Sequence, residues 1–318
     1  MGKWGLELMK IDIFAHILPQ KYFAVLQQKA RPGLNFNREA ANRANTQIDV
    51  RLRVMDRYPD VVQVLTVSQP PVETVVAPSD AVELARMANN ELAELVVRYP
   101  DKFIAAVACL PLNDIDAALE EADRAINELK FRGVQIFSNI NGEPLGAPKF
   151  RPLYEKMVEH DLPIWIHPCI GESGGEPLFG WPYETSSAML KLVSGGILRD
   201  YPDIKFITHH CGAMASFFEQ RIRWLFPLEF GVSEIRNPVE QFQKFYCDTA
   251  VYGSTAALMC AYNFFGADHL LFGTDVPLGP HFGLTLETIE SVKRMDVPDS
   301  DKDKIFAQNA VNLLRVAI

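Results

Sequence analysis

Short apolar runs alternate with longer helical patterns along the whole chain, and this alternation constrains the fold more than any other feature. The runs lie at residues 10–14, 61–67, 103–108, 133–137, 164–167, 205–208, 245–248 and 270–273. Mostly apolar runs of this length are the form taken by strands buried on both faces of a parallel sheet. Between them, the stretches 79–98, 114–129, 150–160 and 184–199 carry apolar residues at three- and four-residue intervals, the spacing of amphipathic helices. Proline punctuates several helix-to-strand passages, as in Tyr99-Pro100, Leu162-Pro163 and Tyr201-Pro202. Eight strands, each followed by helix, within 318 residues predict an α/β fold: a single (β/α)8 TIM barrel spanning residues 1–318. Residues 20–47, rich in Asn and Arg, do not fit the alternation and read as an insertion after strand one. It is either a covering loop or a lid, because such insertions sit on the catalytic face of a barrel. Residues 1–8 precede a second methionine, Met9, and read as an N-terminal extension with no role in the fold.

Charge narrows the partners. Thirty-one Lys and Arg stand against forty Asp and Glu, a formal charge of −9. Nucleic acid and anionic membrane both need a dense basic face, so neither is expected as a partner. A small anionic substrate stays compatible, since a few local arginines can outweigh the global sign. The five cysteines (109, 169, 211, 247 and 260) are scattered, with no CxxC pair. Free thiols in a reducing cytoplasm are the expectation. The longest apolar stretch, around 103–112, is too short to span a bilayer, and the N-terminus lacks a signal-peptide pattern.

Several runs end in residues that a buried strand would not choose. Strand one ends at His16, strand five at His167, strand six at His209-His210, strand seven at Asp248 and strand eight at Asp275. In a barrel the C-terminal strand ends converge on one rim, so side chains far apart in sequence would meet there. Neutral imidazoles with a carboxylate suit Zn²⁺ or a similar divalent ion, and a further His can act as acid or base near neutral pH. Period-two alternation would let only one of His209 and His210 point into the barrel mouth.

The motifs IDIFAHILP, IWIHP, ITHHCGAM and LLFGTDVP resemble the amidohydrolase superfamily. More narrowly, they resemble the amidohydrolase-2 branch that contains aminocarboxymuconate semialdehyde decarboxylase. The resemblance runs over essentially the whole chain. It implies a single metal, Zn²⁺ first, held by His16, His167 and Asp275. It also implies that His210 is the proton-transfer residue, with His209 the neighbour that could be confused with it, and that Asp275 is both ligand and proton shuttle. Arg221, eleven residues after His210, matches an arginine that reaches into the neighbouring subunit of a homodimer to bind substrate carboxylate. Its other reading is an ordinary surface helix arginine. For a second substrate arginine, Arg38 and Arg43 are the candidates in the insertion.

One departure stands out. Where the family's first strand reads His-x-His or Glu-x-His, this chain has Phe14-x-His16, and phenylalanine cannot ligate a metal. Two histidines and one carboxylate remain, a common catalytic set for zinc that leaves positions open. The implied activity is metal-dependent non-oxidative decarboxylation of a small aromatic or muconate-like carboxylic acid. A hydrolase or hydratase would use the same parts, and a metal-depleted barrel with a binding role is the non-enzymatic alternative. Trp181 and Phe179 read as packing or as pocket walls for an aromatic acid. His281 reads as a rim residue within reach of substrate, and residues 171–175 read as a flexible active-site loop.

Overall fold

A computed structural model of the chain describes residues 9–169, 176–231 and 235–316. The extension at 1–8 and the loop at 171–175 therefore lie outside the described residues. Strands run in the order β1 Lys10–Ile17, β2 Val61–Val67, β3 Phe103–Ala106, β4 Ala108–Cys109 and β5 Val134–Phe137. The two-residue strands β6 Asn139–Ile140 and β7 Glu143–Pro144 form an antiparallel hairpin, and β8 Ile164–His167, β9 Phe206–Thr208 and β10 Tyr246–Cys247 follow. Two parallel sheets result, β1-β2-β3 and β10-β9-β8-β5-β4. Only Val107 separates β3 from β4, and its N–H donates to Leu65 O at 2.9 Å, so one extended segment belongs to both sheets.

The eighth run, 270–273, is not a ladder-paired strand; it makes a single parallel bridge, Leu270 to Cys247. Its backbone still joins β10 to β1. Leu271 N donates to Cys247 O at 2.9 Å and Ile13 N donates to Phe272 O at 3.0 Å. At Gly273 and Thr274 the backbone partners are side chains, before His16 N resumes the link to β1 by donating to Val276 O at 2.7 Å. Thr249 Oγ1 and the Gly273 peptide exchange two hydrogen bonds of 3.0 Å, and the Asp12 carboxylate accepts from Thr274 N (3.0 Å) and Thr274 Oγ1 (2.6 Å). Those polar side chains replace the ladder partners that an apolar pattern alone leads one to expect.

Alternation sorts the strand residues between two cores. Ile11, Ile13, Val62, Val64, Ala105, Val107, Trp165, Ile207 and Leu271 pack together on one side with Ala310 and Leu314. Val61, Leu65, Phe103, Val134, Ile164, Ile166 and Phe206 face the helices instead. The helix Pro78–Arg98 shows why: Ala81, Leu84, Ala85, Ala88 and Leu92, three or four apart, form its buried stripe. Asp114 caps Ile115–Asn127 by accepting from Ala117 N at 3.1 Å. The expected helix 184–199 is instead two, Trp181–Ser194 and Ile197–Asp200, broken where Gly196 takes φ +75°. Residues 20–47 are ordered as the short helices Gln20–Lys29, Asn37–Ala41 and Arg43–Thr46. Among the described residues, no helix is long and apolar enough to cross a membrane.

Candidate metal centre

The C-terminal strand ends bring four imidazoles and a carboxylate into one buried cluster. His16, the last residue but one of β1, has Nδ1 hydrogen-bonded to Thr66 Oγ1 at 2.9 Å, and its carbonyl accepts from the buried Arg51 guanidinium at 3.0 Å. His167 closes β8 with Nδ1 donating to Pro168 O at 2.6 Å. His209 follows β9 and donates from Nδ1 to Asp248 Oδ2; the other oxygen of Asp248 accepts from Cys211 N (2.9 Å) and Ala250 N (3.0 Å). Asp275 sits in the left-handed region, φ +63°, which turns its carboxylate inward. Its Oδ1 stands 3.1 Å from both His16 Nε2 and His209 Nε2.

None of those three inward atoms has a partner beyond the other two, although all are buried. Buried polar atoms are nearly always satisfied, so three orphans aimed at one point mark a place for a cation. The donor atoms of His16, His167 and His209 all lie within 4.8 Å of one another, as do those of His209, His210 and Asp275. Each imidazole with a defined outer partner engages it through Nδ1, the arrangement that orients metal-binding histidines. Burial lowers the pKa of His16 and takes that of His167 well below the usual value, which keeps both in the neutral, ligating form. Burial opposes charge on His209 too, but Asp248 and Asp275 outweigh it and lift its pKa to about 10. Asp275, despite burial, is held below the carboxylate range by His209 and His16. Burial, with the charge of His209 beside it, pushes His210 down to about 3. The residues present fit a divalent ion.

A family model described as Amidohydrolase matches residues 11–316. The chain belongs to the amidohydrolase family. It is 27% identical to 2-amino-3-carboxymuconate-6-semialdehyde decarboxylase of Dictyostelium discoideum, over 96% of this chain and 91% of that protein. A solved structure of 2,6-dihydroxybenzoate decarboxylase complexed with 2,6-dihydroxybenzoate superposes with TM-score 0.80 at 26% identity, covering 96% of this chain and 98% of the other. The dihydroxybenzoic acid decarboxylase of Polaromonas sp. JS666, solved with bound manganese and 2-nitroresorcinol, shares the fold at TM-score 0.81 and 24% identity, covering 96% and 97%.

Within this amidohydrolase, the structure separates residues that sequence left level. His209 and His210 both reach the cluster, because β9 ends at Thr208 and His210 takes φ +54°, so strand alternation does not govern them. Phe14 also lies in the cluster, its ring stacked on His209 at 4.1 Å. A cavity of about 290 Å³ opens above His167, walled by Arg38, Asn42, Trp181 and Tyr252. The Arg38 guanidinium lies 5.1 Å over the Trp181 ring, whereas Arg43 is exposed and bonded to Gln47. Phe179 is 73% exposed, and His281 is exposed outside the cavity wall. Arg221 is on the surface helix Glu219–Phe230, over Phe218 at 5.7 Å and away from this chain's own cavity. Two supporting residues escaped the sequence reading. Arg51 is wholly buried beside Val50 and Val54, a break in an apolar stripe that could have flagged it. Tyr252, whose hydroxyl lies 3.5 Å from Asp275 Oδ2, carries no sequence signal.

Proposed function

We propose that this protein is a metal-dependent, non-oxidative decarboxylase, a carbon–carbon lyase acting on a small aromatic or muconate-like carboxylic acid. The observation that carries the proposal is the convergence of His16 Nε2, His209 Nε2 and Asp275 Oδ1 with no partner but one another, beside a cavity walled by an arginine and aromatic rings. His16, His167 and Asp275 would hold the ion, Zn²⁺ by donor set, with manganese the ion of the Polaromonas relative. Bound there, a divalent ion supplies Lewis acidity toward the substrate's oxygens. Arg38 binds the carboxylate, and the Trp181 ring stacks with the substrate's flat face. The carbon that loses CO₂ must gain one proton. His210, neutral and with Nδ1 free of any protein partner, is placed with Asp275 to move it.

The architecture we assign is a (β/α)8 barrel with residues 270–273 as its eighth stave, and residues 20–47 as the lid that carries Arg38. We place the enzyme in the cytoplasm as a homodimer in which Arg221 reaches the partner's substrate. Support for that pairing is the exposed apolar surface around Arg221: Phe217 (76% exposed), Trp224 (69%) and Leu228 (80%). The test is metal content together with CO₂ release from dihydroxybenzoates and aminocarboxymuconate semialdehyde, for protein grown with Zn²⁺ or Mn²⁺. One equivalent of metal and CO₂ release from a member of the panel are expected, with His210→Ala lowering turnover about 10²- to 10⁴-fold at unchanged metal content. Protein that takes up no metal and releases no CO₂ from any of them overturns the reading.

A further inference from the structure

We infer that His209 completes the metal's protein donor set in this chain, supplying from β9 the imidazole that position 14 lacks. The inference rests on the metal-dependent reading above and goes beyond the three ligands named there. Phe14 is fully buried and fills the strand-one side of the cluster, with ring centroids 5.3 Å from His16 and 6.0 Å from His167. Hydrocarbon therefore stands where a donor nitrogen would be needed. The same ring stacks on His209 at 4.1 Å with only 21° between planes, a contact that restricts the tilt of that imidazole.

His209 has the outward and inward partners of a ligand. Its Nδ1 donates to Asp248, and Asp248 is itself immobilised by the N–H groups of Cys211 and Ala250. A carboxylate behind the distal nitrogen fixes ring orientation and tautomer in metal-binding histidines. Its Nε2 is buried with no partner but Asp275, whose Oδ1 lies as far from it as from His16 Nε2, 3.1 Å in both cases. The three donor nitrogens of His16, His167 and His209 fall within 4.8 Å of each other. His210 lacks this arrangement. Its Nδ1 has no partner, and its ring lies parallel to Trp181 at 6.3 Å, toward the cavity wall. The pair thus divides the work: His209 binds the ion and His210 is left for the proton.

The full-length protein and four variants, His209→Ala, His210→Ala, Asp248→Asn and the double variant Phe14→His/His209→Ala, are titrated with Zn²⁺ and Co²⁺ against a competing chelator. The visible spectrum of the Co²⁺ form reports the donor set. His209→Ala should weaken binding more than about 100-fold and change the Co²⁺ spectrum, while His210→Ala stays within about threefold of wild type. Asp248→Asn, which keeps the ring and its packing, should weaken binding about 10- to 100-fold. Recovery of affinity in the double variant would show that the two positions exchange one donor. Wild-type affinity and spectrum in both His209→Ala and Asp248→Asn overturn the assignment while leaving the decarboxylase reading intact. A wild-type protein that binds neither ion overturns that reading, and this assignment with it.

Discussion

The two ends of the parallel strands use the same residue types to opposite effect. At the N-terminal ends, charge is neutralised by a neighbour. Lys10 pairs with Asp60, Lys205 with Asp161, Lys304 with Asp268 at 2.8 Å, and His160 with Asp123 at 2.8 Å. His269 donates from Nδ1 to Phe245 O at 3.1 Å and stacks on Tyr246. At the C-terminal ends, His16, His209 and Asp275 are buried with inward atoms that meet only one another, and behind β2 a buried carboxylate oxygen of Glu73 has no hydrogen-bond partner. One end settles its polar groups within the protein; the other holds them ready for something that the protein alone does not contain. Buried groups in that condition cost stability, which is tolerated where a ligand later satisfies them.

Removing charge at the two ends should therefore have unequal consequences. The largest effect is expected from Arg38→Ala, which takes away the cation facing the cavity. KM should rise about 10- to 100-fold with a smaller change in kcat, whereas Arg43→Ala stays within about twofold. Steady-state kinetics on both variants decide it, and equal effects would remove the distinction between them. The next effect is in stability against pH. Burial raises the Glu73 carboxyl from 4.5 to about 7, so the folded state holds its proton more tightly than the unfolded chain does. The associated stabilisation is complete below pH 4.5 and is lost as pH climbs through 7. Glu73→Gln lacks this dependence. Its stability relative to wild type should rise by roughly 1.4 kcal/mol per pH unit over that window, read by urea unfolding at several pH values. A gap that does not move with pH would mean that the acid is satisfied like those at the opposite end. The smallest effect belongs to that end: His160→Ala should cost less than about 1 kcal/mol and leave kcat/KM unchanged. A larger loss of activity there would erase the contrast.

Strand periodicity was legible where both faces are apolar. The runs 61–67 and 164–167 coincide with β2 and β8, and of the rim residues His16 lies within 4.8 Å of His167 by donor atoms and 3.1 Å from Asp275. Legibility failed where side chains take over backbone roles. Residues 270–273 read as an ordinary strand because nothing in LLFG announces that Asp12 and Thr249 will bond the backbone beyond it. The helix expected at 184–199 breaks at a glycine pair whose conformational freedom a periodicity count does not register. Alternation likewise gave no purchase on His209 and His210, since the strand ends one residue before them.

By itself the sequence determined the class of fold and the chemical types gathered at one rim, because hydrophobic period and strand-end composition are local properties. Tertiary structure alone decided that Arg38 rather than Arg43 walls the cavity, that Asp248 stands behind His209, and that Phe14 packs against that ring. Those facts depend on distances between residues tens to hundreds of positions apart, which no local pattern encodes. A phenylalanine in a ligand motif reads as a lost donor in one dimension. In three it is the surface against which another donor is held.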